Sequence, residues 1–594
     1  MFVLRWMRSV TRGLLGFLTV VPVVALVLAI LLDRGPAGEV RGSFFPMALL
    51  ALDPFVWTCA RNSLIFAAVV TATALVAGVG LGWLMGRLRF WGRPVLRAAA
   101  ASSLAASPVI LSLGLVGIWG VPHSWPWPIS AHGAGDEGVS LEAWRGVPLW
   151  LFWIWSTLPG AVAIVMLSTA AAVERIEPAW EDASRLAGSG RFRTWRSLIW
   201  PLIRPAAARA AALIFPLALV EPGATLILDL RRTLAFQIVE AARRPDPFPR
   251  IAVWAVMAGL MALAGRLLLR GWGGPSILGR SAIGRSADSD RPLARRSGMP
   301  MVIFSTLALA GAAVVGWLPV LGLFRLVLYR RPDPVASDDG ATRSIAELIR
   351  PVFEPPMPQL AANSLFLGLE VALGIVILAR LVRPVPRARS SRAIASSLVR
   401  PLALMPPLLQ GVGLLALPWL AGLVSSSLRT IPRFEGLADR LADLARELSP
   451  ERNPWILLVS AVGLTVGLRF LQSWQWAAES ESDELRSGLD AALLAGVSSV
   501  RARAVASWRP ARWIGRFVLA TCFAATCLTP ALLFTPWMDG RTIAPGIVIL
   551  ADGPADARLQ AAALALTALA ANITALIAAR LTSAWPRDGE TDRS

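Results

Sequence analysis

Nearly continuous apolar runs, rather than amphipathic stripes, set the pattern of this chain; residues 13–32, 63–85 and 455–468 are representative. A helix of roughly 20 apolar residues crosses a bilayer because its backbone hydrogen bonds all close within the segment. Read in order, the runs predict spans near 14–32, 62–86, 98–120, 147–171, 209–229 and 251–269. A second set follows near 301–323, 363–382, 397–424, 454–474, 513–534 and 559–580. The fold class that follows is an all-α polytopic membrane protein of about 12 transmembrane helices.

Composition agrees, with 55% hydrophobic and only 16% charged residues, where a soluble domain carries about 25% charged. The net charge of +20 comes entirely from arginine, because the chain has no lysine. A nucleic-acid binder would gather that charge on one soluble face among base-reading groups. Here the arginines lie between apolar runs, as the positive-inside rule arranges them. Segments 87–97, 174–209, 266–300, 380–400 and 486–516 are arginine-rich, whereas 33–61 and 122–146 carry few. The sum predicts both termini on the cytoplasmic side. Arg5, Arg8 and Arg12 precede the first run, and Asp33-Arg34 offers no small-residue cleavage pattern, so a retained first helix is expected. Twenty-five tryptophans against the single Tyr329 suit interfacial anchoring.

The polar segments reveal a duplication. Asp182-Ala183-Ser184 followed by Gly188 returns 308 residues later as Asp490-Ala491-Ala492 followed by Gly496. Asn62-Ser63-Leu64 opens the second span, and Asn363-Ser364-Leu365 opens the eighth. Pro108 answers Pro406, and Arg232-Thr233-Leu234 answers Arg541-Thr542-Ile543. Corresponding spans share orientation, so the expectation is two parallel-duplicated six-helix halves, 1–270 and 301–594, joined by a Gly-, Ser- and Arg-rich cytoplasmic linker, 271–300.

Each repeated polar segment falls between the fourth and fifth spans of its half. In the first, Glu177, Glu181 and Asp182 come early, favouring a helix N-terminus. Ala179, Ala183, Leu186 and Ala187 make a small-residue face, and Gly188 and Gly190 allow the sharp turn that ends a helix. A second helix near 191–200 then leads through Pro201 and Pro205 into the fifth span.

At these residues the chain resembles the permease subunits of ABC importers, whose loop pattern is Glu-Ala-Ala-x3-Gly-x9-Ile-x-Leu-Pro. The first copy matches through Gly188, Leu198 and Pro201. The second keeps the pattern from Asp490 to Gly496, then has Ala506, Trp508 and Arg509 at the tail positions, with Pro510 shifted by one. The double-length form is similar to ferric-iron-type permeases and their thiamine, polyamine and phosphonate relatives, and the Glu221-Pro222-Gly223-Ala224-Thr225 stretch also looks like this family. The resemblance implies a multi-pass protein of a bacterial inner membrane. Its two loops, carrying Glu181, Asp182, Ala183, Ser184, Gly188 and Pro201 and Asp490, Ala491, Ala492 and Gly496, would seat coupling helices on an ATPase dimer. It also implies a periplasmic or extracellular binding protein that delivers a small solute, ferric iron first among the candidates, and neither a cofactor nor a nucleic-acid partner. With no GxxxxGK[ST] loop, ATP hydrolysis is expected on a separate subunit, so the chain itself is not expected to be an enzyme.

Other features add less. Glu370, inside the eighth span, is a candidate pathway residue, because an intramembrane carboxylate is costly to bury; an interhelical hydrogen bond or snorkelling are the alternatives. Phe434, Leu437, Leu441, Leu444 and Leu448 predict an amphipathic helix on the outer side, with contact to a binding protein as its sharper use. His123 and His132 share one outer loop without metal-ligand spacing, and Cys59, Cys522 and Cys527 read as small apolar residues, so no metal site is expected. A secondary transporter driven by an ion gradient is the competing class; paired intramembrane acids would favour it, and Glu370 has Val69 as its counterpart.

Overall fold

The computed structural model describes residues 22–34, 40–42, 52–119, 149–274, 299–328, 353–381, 406–466, 510–538 and 542–584, apart from scattered positions inside those ranges. The first part opens with α1 (Pro22–Leu31) and an antiparallel hairpin of β1 (Leu32–Arg34) and β2 (Val40–Gly42), the only sheet among the described residues. It continues through α2 (Pro54–Arg87), α3 (Arg93–Ala105), α4 (Pro108–Trp119), α5 (Leu149–Val173), α6 (Pro178–Leu186) and α7 (Arg191–Thr194). α8 (Trp200–Leu219), α9 (Pro222–Ile227), α10 (Leu234–Ala242) and α11 (Arg250–Gly273) complete it.

The second part holds α12 (Met299–Leu328), α13 (Met357–Leu381), α14 (Pro407–Leu428) and α15 (Glu435–Glu447). α16 (Pro454–Val466), α17 (Pro510–Ala525), α18 (Thr529–Met538), α19 (Ile543–Ala551) and α20 (Ala555–Ala584) follow. Among the described residues eight helices are long and apolar enough to cross a membrane, and α3 with α4, bent by 99°, makes a broken ninth. Shorter apolar helices, Pro22–Leu31, Val314–Leu328 and Pro454–Val466, stand where the remaining expected spans fall. The molecule is an all-α polytopic membrane protein, as its hydrophobic runs require.

Three expected spans are interrupted, each just before or beside a proline that removes a backbone donor. Residues 106–107 separate α3 from Pro108, residues 220–221 separate α8 from Pro222, and residues 526–528 separate α17 from α18, where Pro530 is the second residue. Hydropathy sums over such breaks, so the runs looked continuous.

The helices also exchange between the two parts. α12 lies so close to α4 that a Cβ on Gly114 would fall on the Pro319 carbonyl, and one on Gly322 would fall on the Gly114 carbonyl. Small residues at such a crossing let two backbones approach within van der Waals contact. The Trp155 indole donates to the Val315 carbonyl at 3.0 Å, and Arg325 donates to the Ile118 carbonyl at the end of α4 at 2.8 Å. On the other side α1 meets α14, where a Cβ on Gly413 would strike the Pro22 carbonyl. The first helix of each part thus docks on the third span of the other. One continuous apolar core results, with Leu219, Ile238, Leu409 and Phe534 among its members.

The amphipathic helix forms as α15, with its buried side shifted from the expected stripe. Ala438 and Ala445 are buried against the protein, while Leu437 and Leu444 are each 49% exposed. Close packing of α15 on α14 buries the alanines with Leu441 and Leu448 half-buried beside them, and Leu437 and Leu444 fall to the flank.

Candidate functional site

α6 and α7 form a polar hairpin between the fourth and fifth spans. Its turn is a Schellman motif: Ser189 N–H donates to the Ser184 carbonyl and Gly188 N–H to that of Arg185. Gly188 sits at φ +78°, and nothing lies where its Cβ would project. Glycine is therefore required by the backbone angle and not by crowding. The Ser184 and Thr194 hydroxyls, 3.1 Å apart, tie the two arms together.

Glu181 anchors the hairpin to the membrane domain. Its carboxylate lies 2.7 Å from the Arg87 guanidinium at the end of α2, and the two side chains are mostly buried. Arg185 makes looser contacts with Glu181 at 3.9 Å and Asp182 at 3.8 Å. Next to the hairpin, Glu174 at the end of α5 pairs with Arg93 at 3.1 Å and Arg97 at 3.0 Å on α3. The entry to the hairpin and its first helix are both held by charge pairs.

The opposite face is free. Asp182, Ala183 and Ala187 are exposed, Leu186 is 90% exposed and Phe192 is 73% exposed, with Trp180 beside them. An apolar tip rimmed by charge is the composition of a docking surface. After α7 the chain makes a π turn, Trp195–Ile199, in which Trp200 N–H donates to the Trp195 carbonyl. The wider turn relieves the clash that the Pro201 ring would make in a regular helix, and the segment runs on into α8.

The structure therefore brings Glu181, Asp182, Ala183, Ser184 and Gly188 into one hairpin, and Pro201 stands at the start of α8, just beyond it. Asp490, Ala491, Ala492 and Gly496 lie outside the described residues, as do His123 and His132. Glu370 sits on an exposed face of α13 and accepts a hydrogen bond from the Trp455 indole of α16 at 3.0 Å. It is an interhelical partner and is not grouped with the hairpin residues.

A second pair of sites was legible only as repeated letters. Ser63 on α2 accepts the Leu234 N–H at 2.9 Å, and Ser364 on α13 accepts the Ile543 N–H at 2.7 Å. Leu234 and Ile543 are the first residues of α10 and α19. Thr233 and Thr542 hold the N-cap positions without a side-chain cap bond, so a serine from another helix takes that role. The same cap occurs in both parts of the chain.

These features define a polytopic helical membrane protein with an exposed polar hairpin between its fourth and fifth spans. No family model matches the chain. The relatives it resembles are named as permease proteins of transport systems. It is 26% identical over 181 residues to a molybdenum transport system permease protein of Escherichia coli, covering 30% of this chain and 73% of that one. It is 25% identical over 176 residues to a molybdate/tungstate transport system permease protein of Thermococcus kodakarensis, covering 30% and 62%. A sulfate transport system permease protein of Salmonella typhimurium is 24% identical over 176 residues, covering 30% and 60%.

Proposed function

We propose that this chain is the transmembrane permease subunit of an ATP-driven importer, working with a separate ATP-binding cassette ATPase dimer and a substrate-binding protein. The observation that carries the reading is the α6–α7 hairpin. It is fixed to the bundle through Glu181 and Arg87 and turns its apolar tip, with Leu186 and Phe192, away from it. A rigid lever with an exposed apolar end transmits motion from a partner to the spans that follow. Both termini and the hairpin belong on the cytoplasmic side of a bacterial cell membrane in this reading, supported by the arginine-rich segments.

The substrate we propose is a tetrahedral oxyanion of the molybdate, tungstate or sulfate kind. The names of the relatives support that class, and none of the relatives reported above names ferric iron. The chain also reads as two permease halves, 1–270 and 301–594, fused through 271–300. The matched 181 residues are 30% of this chain but 73% of the Escherichia coli relative, so that relative is less than half as long. The paired serine caps at Ser63 and Ser364 support the same reading. Asp490, Ala491, Ala492 and Gly496 would form the second socket.

Uptake of radiolabelled molybdate and sulfate into cells expressing the chain with its ATPase and binding protein tests the proposal. The expected result is ATP-dependent accumulation that Leu186→Glu abolishes together with co-purification of the ATPase. Accumulation that persists after the ATPase is deleted would overturn it.

A further inference from the structure

Asn572 is the residue at which two of the span breaks meet. It lies within the apolar span Ala557–Ala579 and is only 3% exposed. Its side-chain amide donates to the Ala105 carbonyl at 3.1 Å and to the Thr526 hydroxyl at 3.0 Å. The Thr526 hydroxyl in turn reaches the Cys522 carbonyl at 2.9 Å.

Both partners sit at breaks. Ala105 is the last residue of α3, and the 99° bend to α4 removes its carbonyl from the helical ladder. Thr526 is the first residue after α17, ahead of α18. In a membrane interior a free carbonyl finds no water to satisfy it, so the amide that reaches it has few competitors. Asn572 supplies that amide from α20, and its other hydrogen fastens the break in the eleventh span. The bend is not closely packed on every side. A small cavity beside it is lined by Ser102, Ser103, Ala106, Trp317 and Ile573, leaving room for the arms to shift.

We propose that Asn572 is a positioning residue that locks the bend in the third span to the break in the eleventh, so that the two parts of the chain change conformation together during transport. This rests on the permease reading for its role in transport, while the lock itself stands on the geometry. The chain offers one polar side chain with two donors, and each donor goes to a different break. Displacing Asn572 therefore loosens both breaks at once.

Amide hydrogen exchange on the full-length chain in nanodiscs tests the lock without reference to substrate. Asn572→Ala is expected to raise exchange about tenfold at both 102–111 and 526–532, the effect of losing one or two buried hydrogen bonds. Thr526→Val, nearly isosteric, is expected to raise it at 526–532 while leaving the bond to Ala105 in place. Increased exchange at only one break in Asn572→Ala, or at neither, would overturn the lock. If Asn572→Ala does not insert, Thr526→Val decides alone, and unchanged exchange at 526–532 overturns the proposal. Uptake of labelled molybdate and sulfate then reads the consequence: turnover per ATP hydrolysed falls at least about fivefold in Asn572→Ala with KM unchanged. Normal coupling despite loosened breaks removes the functional role. A wild-type chain that takes up neither anion counts against the substrate reading and leaves the exchange result to judge the lock.

Discussion

Gly188 and Glu181 do different work in one hairpin, and their substitutions separate turn geometry from anchoring. Gly188→Ala meets no atom, yet places a Cβ residue at φ +78°, which costs about 1 kcal/mol. The expected result is a folded, inserted protein whose hairpin frays, measured as faster proteolysis near 186–190 and weaker uptake. Glu181→Gln keeps the shape but leaves the mostly buried Arg87 guanidinium without its carboxylate. It should free the hairpin from α2, lowering thermal stability by about 1–3 kcal/mol in detergent. Ser63→Ala and Ser364→Ala each strand the first N–H of a helix and are expected to cost about 1–3 kcal/mol apiece. The sites occupy separate parts of the chain, so the double variant should lose the sum within about 0.5 kcal/mol. A clearly smaller loss in thermal unfolding would mean the two caps are coupled.

At the scale of elements, prolines decided more than hydropathy did. Pro108, Pro222 and Pro530 all stand at the start of a helical segment that follows a break. The pattern of apolar residues runs straight through each, because a break inside the membrane still needs apolar flanks. Sequence reasoning could find the prolines, yet the bend of 99° between α3 and α4 depends on what packs against each arm. The same holds for α15, where packing buried Ala438 and Ala445 and left Leu437 and Leu444, also singled out by spacing, exposed. Replacing Ala438 by Leu should therefore disturb α15 more than replacing Leu437 by Ala. Exchange protection across 435–447 is the measurement, and equal effects would contradict the assigned face.

Across the whole molecule the exchange of first helices joins the two parts. Gly322→Leu would drive a side chain into the α4 backbone and is expected to separate α12 from α4. Introducing a protease site within 275–298 gives the readout: after cleavage the wild-type parts should stay together on a sizing column, while Gly322→Leu parts dissociate. Persistent association would show that the α1–α14 crossing and the shared core suffice without the α4–α12 crossing.

What the sequence determined by itself was the class, the order of the apolar runs, and the hairpin that begins with Glu181 and turns at Gly188. These follow from local physics: a bilayer demands long apolar runs, and a left-handed turn demands glycine. The repeated letters were also legible, because a repeat needs no coordinates to be read. Only the tertiary structure decided that Ser63 and Ser364 cap helices far along the chain, that first helices cross to the opposite part, and that Asn572 bridges two breaks. Each of those is a contact between distant segments. A hydrogen bond that spans 467 positions leaves no local period in the sequence, only a polar residue in an apolar run whose partner the fold supplies.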